Sequence, residues 1–343
     1  MSAPQRPPVY YSEYLQLDKI LNAQFPESSK EGVKADDEML FIIIHQTYEL
    51  WFKLVLHELN IVCDIFKQKE IPNNSPDIFN AVHRIERVCK ILEVCVQQMT
   101  VIETMTPLDF LDFRDLLRPA SGFQSIQFKM IEARLGLAYD NRFGKGYYLS
   151  QLNTADIERV KQAEADESLI VLLNRWLERM PFTENEAYWK EKGSSSFWDI
   201  YKRAYEDSLS ENEKGNMQTF TKLFCNPAEY PEGRSFSMAA NRNALFIMLY
   251  RDHPMLHLPF ELISYLLEID EMLSMWRHRH IHMVQRTIGK RVGTGGSTGA
   301  EYLKSAADAH YIFKEMAELT SFLLPRNQLP SLPESLQKDL GFK

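Results

Sequence analysis

The 343-residue sequence predicts an all-α fold, and two observations support this prediction. Apolar residues recur at spacings of three and four through most of the chain, as they do on the buried face of a helix. The alternation of apolar and polar residues that is typical of a half-buried strand is nearly absent. Five of the 14 glycines fall between positions 289 and 299, so one stretch concentrates the residue that destabilises helix interiors.

The helical periodicity begins after an extended, proline-containing start over residues 1–10. The predicted helices cover residues 12–22, 36–69, 75–104, 107–117, 121–136, 154–178, 196–210, 212–225, 234–250, 257–289 and 299–324. Between about 138 and 232 the composition becomes polar and charged, with stretches such as DIERVKQAEADES and SENEKGN. We therefore expect a single domain over 1–343 in which an accessory helical insertion, 138–232, joins a more apolar main bundle.

The predicted helix 36–69 carries a histidine within its apolar face. The inward stripe consists of Phe41, Ile44, His45, Tyr48, Phe52 and Val55. Burying an imidazole on such a face without a partner would be costly. His45 is therefore expected either to be hydrogen-bonded within the core or to face a cavity.

The predicted helix 107–117 combines aromatic residues with one arginine. Arg114 follows Phe110 by four residues, which is one helical turn, so the two side chains share a face. A surface ion pair with Asp112 or Asp115 is the ordinary role of such an arginine. The alternative is a clamp on a substrate carboxylate, since guanidinium can bind carboxylate through two hydrogen bonds. The following PASGF stretch ends the helix and could place the Ser121 hydroxyl at a cavity wall.

The predicted helix 257–289 contains three histidines at alternate positions. Its apolar stripe consists of Leu266, Ile269, Leu273, Trp276, His280, Met283 and Val284, continued by Thr287 or Ile288. His280 is thus the imidazole set into the buried face, and it suits either a satisfied core role or the proximal ligand of a haem iron. His278 and His282 share the opposite face with Arg277 and Arg279. They could form a zinc pair, but the glutamate of an HExxH motif is missing.

The glycine-rich stretch KRVGTGGSTG matches neither GxGxxG nor GxxxxGK[ST], and it follows a helix instead of a strand. A nucleotide-binding loop is therefore not predicted. The stretch is either a flexible connector or a loop over 293–299 that closes on a bound substrate, with Thr294 and Ser297 as its hydroxyls.

Charge and cysteine usage narrow the possible partners and compartment. The sequence has 39 basic and 47 acidic residues, a net charge of -8, which disfavours binding to nucleic acid. The four cysteines form no CxxC pair, and the start lacks the apolar core of a signal peptide. No apolar stretch reads as long and uninterrupted enough to span a membrane. We expect a cytoplasmic protein that binds neither nucleic acid nor membrane.

Four stretches of the sequence closely resemble the haem-dependent tryptophan 2,3-dioxygenase family. They are YSEYLQLDKILNAQ (11–24), LFIIIHQTYELWFK (40–53), LDFLDFRDLLRPASGFQS (108–125) and WRHRHIHMVQRTIGKRVGTGGSTG (276–299). The stretches occur in the family's order along most of the chain outside the polar segment. The resemblance implies a helical bundle enclosing one b-type haem, usually assembled as a homotetramer.

The resemblance also implies roles for individual residues. His280 would be the axial ligand of the haem iron, and Trp276 and Ser121 would contact the cofactor. His45, Arg114 and Thr294 would be the catalytic residues. His45 would accept a hydrogen bond from the indole N–H. Arg114 would pair with the substrate's carboxylate, and Thr294 would lie near its ammonium and carboxylate. The implied substrate-binding residues are Tyr11, Tyr14, Phe41, His45, Phe110, Arg114, Ser121 and Thr294, with one N-terminal tyrosine supplied by a neighbouring subunit.

The implied reaction is addition of O2 across the indole C2–C3 bond of L-tryptophan to give N-formylkynurenine, the first step of the kynurenine route of tryptophan catabolism. A second possibility is a related haem enzyme that inserts one oxygen atom into a tryptophan-derived or other aromatic precursor. A haem-binding sensor or helical interaction module would not need His45, Arg114 and Thr294 together, and this sequence has all three.

Overall fold

The computed structural model describes residues 7–137, 142, 149–150, 152–193, 196–289, 291, 303–304, 307 and 310–341. Every regular element among these residues is a helix, which confirms the all-α prediction. The α-helices are α1 (Tyr11–Tyr14), α2 (Leu17–Leu21), α3 (Glu27–Lys30), α4 (Asp37–Phe66), α5 (Pro76–Ile102), α6 (Pro107–Phe113), α7 (Ile126–Leu135), α8 (Thr154–Ala165), α9 (Leu169–Glu178), α10 (Glu186–Trp189), α11 (Phe197–Ser208), α12 (Asn216–Phe224), α13 (Met238–Leu249), α14 (Pro254–Ile288), α15 (Lys314–Glu318) and α16 (Glu334–Leu340). Short 3-10 helices lie at Arg114–Leu117, Gly122–Gln124, Lys190–Lys192, Pro227–Glu229, Leu319–Phe322 and Arg326–Gln328.

The three longest helices, α4, α5 and α14, form the centre of the bundle. Helix α5 packs along both α4 and α14, and α7 and α13 pack against α4 and α14, respectively. The facing side chains are fully buried, among them Val55 and Leu59 of α4, Ile85 and Val88 of α5 and Leu266 of α14. Removal of this apolar surface from water is the main force that holds the long helices together.

Local sequence signals set where several of these helices begin. The Ser75 hydroxyl accepts a hydrogen bond from the backbone N–H of Ile78, and Pro76 occupies the first turn of α5. At α6, Thr106 and Asp109 form a reciprocal capping box ahead of the aromatic residues of the helix. The start of α6 in turn determines where Phe110 and Arg114 lie.

The single helix predicted over 154–178 is wrong, because the structure has two helices there. Helix α8 ends at Ala165 and α9 begins at Leu169, with extended backbone at Asp166 and Ser168. The break lets α8 pack on α7 while α9 packs on α4 and α13, two directions that one straight helix could not satisfy. The prediction that 138–232 is an accessory insertion within one domain stays a prediction.

Gly136 ends α7 with a positive φ of 129°, a conformation that favours glycine. A Cβ atom at this position would overlap the side chain of Ile170 at the start of α9. The absence of a side chain therefore allows the close approach of α9 to the end of α7.

Two further predicted helices differ from the structure. The predicted helix 12–22 is interrupted at Gln16, whose φ of 53° separates α1 from α2. The predicted helix 299–324 is not helical at residues 310–313, because the Asp270 carboxylate of α14 accepts the backbone N–H groups of Ile312 and Phe313. A tertiary hydrogen bond thus replaces the helical one at these two amides.

Helix α4 meets the length and composition of a membrane-spanning helix, contrary to the sequence expectation that no stretch would. In the bundle, however, α4 packs against α5 and α7, and its Glu58 carboxylate is buried between Arg84 and Arg87 of α5. Core helices of bundles share this length and composition, so the feature is weak support for membrane insertion.

Candidate active site

A cavity of about 620 Å³ lies between α4, α6, α7 and α14, and its walls are mostly apolar. This volume is within the range of small-molecule and cofactor sites in proteins. The cavity brings together seven residues that the sequence assigned to a site: Phe41, His45, Phe110, Arg114, Ser121, Trp276 and His280. These residues come from distant parts of the chain, so the tertiary fold assembles the site.

His280 lies on the cavity-facing stripe of α14, one turn after Trp276, as the periodicity predicted. The two rings are 5.2 Å apart between centroids. The His280 Nδ1 atom is buried and has no hydrogen-bond partner among the described residues. Burial and repulsion from the charge on a protonated His45 together lower the pKa of His280 to about 4. The imidazole is therefore neutral at physiological pH, and its unprotonated nitrogen is able to bind a metal ion.

His45 faces the same cavity from α4. Its Nδ1 atom lies 2.7 Å from the Phe41 carbonyl oxygen, which can only accept, so Nδ1 carries the proton and donates. The ring has surface open to the cavity but is otherwise enclosed by protein, and this enclosure lowers the pKa of His45 below 6.5. In this neutral tautomer Nε2 is the unprotonated nitrogen, an acceptor for an N–H group in the cavity. His45 is thus both hydrogen-bonded within the protein and exposed to a cavity, the two alternatives expected from the sequence.

Aromatic rings form two walls of the cavity. Phe41 stacks on Phe110 at 5.7 Å between ring centroids and lies 4.1 Å from the His45 ring. On the α14 side, Phe128 lies 4.9 Å from Trp276. Flat walls of this kind favour an aromatic ligand.

Arg114 follows the last residue of α6 and lines the cavity, with 5% of its surface exposed. The surface ion pair considered from the sequence is wrong, since Arg114 is buried and Asp115 pairs instead with Arg118. Ser121 caps the next 3-10 helix through the backbone N–H of Phe123 and also lines the cavity. The structure therefore places a guanidinium and a hydroxyl at one end of an apolar pocket.

Two residues assigned from the sequence, Tyr11 and Tyr14, do not line this cavity. Tyr11 and Tyr14 lie on α1 with 75% of their surface exposed. Thr294 and the 293–299 loop lie outside the described residues. The roles of these residues stay predictions.

The cavity also contains a buried charged cluster that the sequence did not predict. The Glu132 carboxylate of α7 lies 2.7 Å from both Arg142 and Arg277, and 3.4 Å from Nδ1 of His310. The helical-wheel argument placed Arg277 on a charged outer face, which is wrong, because Arg277 is 5% exposed and pairs across the bundle. The arginine neighbours lower the pKa of Glu132, so this carboxylate is ionised despite its burial.

Lys129, one turn before Glu132, also lines the cavity and is buried. Its ammonium donates to the Phe123 carbonyl. Burial lowers the pKa of Lys129 from 10.5 to about 8. A signal was present in the sequence, since Lys129 and Glu132 lie beside the apolar residues of a short helix, but it does not distinguish buried charges from solvated ones.

The zinc pair considered from the sequence has no support in the described part of the chain. His278 and His282 are both exposed, and His278 bonds to the backbone of its own helix. No group of three His, Cys, Asp or Glu side chains suited to a metal ion occurs among the described residues. His280 is thus the histidine of this helix that faces the cavity.

Comparison with known proteins agrees with the site. The profile of the family described as "Tryptophan 2,3-dioxygenase" matches residues 4–224 and 228–323. A protein of that name from Alteromonas mediterranea is 43% identical, over 98% of each chain. One from Dictyostelium discoideum is 41% identical over 97% of this chain and 88% of its own. "Tryptophan 2,3-dioxygenase B" of Danio rerio is 37% identical over 96% and 86%. The chain belongs to the tryptophan 2,3-dioxygenase family.

Proposed function

We propose that this protein is an oxidoreductase that uses haem b to add O2 across the indole C2–C3 bond of L-tryptophan, giving N-formylkynurenine and starting the kynurenine route of tryptophan catabolism. The observation that carries the proposal is the pair His45 and His280, two neutral imidazoles that face one aromatic-lined cavity from different helices. The family membership supports the same reaction.

The residues present fit a haem. His280 offers a neutral, half-buried imidazole whose buried Nδ1 has no partner among the described residues, and the cavity around it is apolar. A histidine of this kind would hold the haem iron. Trp276 and Ser121 line the cavity beside it and would contact the cofactor. When bound, ferrous haem supplies the binding and activation of O2.

His45 would select an indole substrate through its tautomer. Because Nδ1 donates to Phe41, Nε2 can accept the indole N–H of tryptophan. This hydrogen bond would fix the rotation of the indole ring and so hold C2 and C3 in one orientation.

Arg114 would bind the substrate carboxylate. A buried guanidinium binds carboxylate strongly, since both partners are shielded from water. Phe41 and Phe110 would pack on the indole ring. Thr294 would hold the amino acid end of the substrate, and closure of the 293–299 loop would then exclude water.

The N-terminal segment supports a proposed homotetramer. Val9, Tyr10, Tyr11 and Tyr14 each have 66% or more of their surface exposed, an unusual exposure for neighbouring apolar residues. A neighbouring subunit would cover this segment and receive one of its tyrosines at its own cavity. We place the assembled enzyme in the cytoplasm.

The product tests the reaction. Ferrous protein and L-tryptophan are mixed under 18O2, and the product mass is measured. Incorporation of two 18O atoms together with appearance of the N-formylkynurenine absorbance is the expected result. Incorporation of one atom would instead show a monooxygenase, an activity that none of the matched relatives' names favours.

A further inference from the structure

Lys129 places a buried positive charge at the wall of the cavity. The residue is 7% exposed, and its ammonium has three donor hydrogens. Among the described residues the Phe123 carbonyl is the hydrogen-bond acceptor that it contacts, and no carboxylate lies within ion-pair distance. The lysine thus has no direct ion pair among the described residues, and the carboxylates of Glu132 and Glu49 act on its charge only from a distance.

The neighbouring carboxylates form their short contacts with other residues. Arg142 pairs with both Glu132 and Glu164, and Arg277 pairs with Glu132. Glu132 and Glu164 are thus engaged by arginines, and neither forms an ion pair with Lys129. Glu49, the next acidic residue on the cavity wall, accepts a hydrogen bond from Gln127.

An ammonium buried without a counter-ion is costly to the folded protein, whereas an anionic ligand at the same place would be bound strongly. We propose that Lys129 is the counter-ion of a carboxylate on the porphyrin ring bound in this cavity. The inference rests on the proposed haem function and names a residue that recognises the cofactor's edge.

The porphyrin is a better candidate than the amino acid substrate for this contact. Haem b has two propionate carboxylates, and His280 and Lys129 line the same cavity. The substrate has one carboxylate, for which Arg114 is the proposed partner. The ammonium also bonds to the carbonyl of Phe123, two residues after Ser121, a further residue proposed to contact the cofactor.

A cycle of two proteins and two ligands isolates this contact. Haem and haem dimethyl ester, whose carboxylates are blocked, are each titrated into apoprotein of the wild type and of Lys129→Met, with the Soret band as the readout. We expect the wild type to bind haem at least about tenfold tighter than the ester, which is ~1.4 kcal/mol. Lys129→Met should lose most of this preference, and Lys129→Arg, which keeps the charge, should retain it.

Three outcomes separate the inference from the function. Equal preference for haem over the ester in wild type and Lys129→Met would overturn the inference. A change in tryptophan affinity without a change in this preference would assign Lys129 to the substrate and also overturn it. Failure of the wild type to bind either porphyrin would instead overturn the proposed function. Circular dichroism of each apoprotein verifies that the variants fold, and Lys129→Gln serves if the methionine variant does not.

Discussion

His45 on α4 and His280 on α14 face the same cavity, and repulsion from the charge on a protonated His45 is one cause of the lowered pKa of His280. The two residues are 235 positions apart in the sequence, so only packing of the two long helices brings them together. Burial is the largest cause of the lowered pKa of both imidazoles, so the pair is neutral at physiological pH. One ring can then serve a metal and the other an N–H donor.

Replacement of His280 by alanine should abolish stable haem binding, because the axial imidazole is removed. The Soret band after gel filtration measures the retained haem. His278→Ala is the matched control, since that histidine is exposed on the same helix and should leave the band unchanged. Full haem occupancy in the His280 variant would contradict the assignment.

Arg114→Ala should raise the KM for L-tryptophan. Loss of a hydrogen bond to a charged group costs roughly 1.5–3 kcal/mol, which corresponds to about a tenfold to hundredfold change. Steady-state kinetics of the haem-loaded enzyme gives the value. Arg118→Ala removes a nearby arginine of an exposed ion pair and should have little effect. An unchanged KM in the Arg114 variant would count against the carboxylate clamp.

The activity of the enzyme should persist on the acid side of neutrality. Enclosure in the protein lowers the pKa of His45, so the neutral, N–H-accepting form remains when the pH falls through 6.5, where a free histidine would be half protonated. We expect kcat/KM to decline only at lower pH, and the decline assigned to His45 to disappear in His45→Gln. An acid limb centred above pH 6.5 would disagree with the enclosed site.

Glu132→Gln should destabilise the fold strongly. The change leaves Arg277 without a carboxylate partner among the described residues and Arg142 with Glu164 alone, and breaking a buried ion pair costs about 3–5 kcal/mol. Urea unfolding of the haem-free protein measures the loss. Glu103→Gln is the comparison, because its pair with Arg279 is partly exposed and should contribute below ~1 kcal/mol. Equal effects of both changes would mean that the Glu132 cluster is not a structural centre.

Deprotonation of Lys129 should increase the folding stability of the haem-free protein. Burial lowers the pKa of this lysine from 10.5 to about 8, so between these pH values the unfolded chain holds the proton that the folded chain has lost. Folding stability therefore rises with pH in this window, by at most ~1.4 kcal/mol per pH unit. In parallel urea titrations, the free energy of unfolding of the wild type should rise relative to that of Lys129→Met between pH 8 and 10. A constant difference would show that the ammonium is not desolvated.

Several parts of the site could be predicted because they depend on local rules. His280 falls on an apolar stripe with Trp276, and any helix of that sequence turns those two residues to one face. The same periodicity placed Phe41 and His45 together on α4. The sequence does not decide whether Arg114 forms a surface ion pair or binds a substrate carboxylate, since sequence spacing does not reveal whether a helix end is buried.

The amino-acid sequence by itself determined that the chain is helical, which helix faces are apolar and which family it belongs to, because these follow from periodicity and from local sequence motifs. Only the tertiary structure decided that Arg277 turns inward to Glu132, that Asp270 ends the helical pattern at residues 310–313, and that Lys129 is buried at the cavity without a carboxylate among the described residues. The physical reason is that the cost of a buried charge depends on the partners that other helices bring to it, and those partners are far away in the sequence.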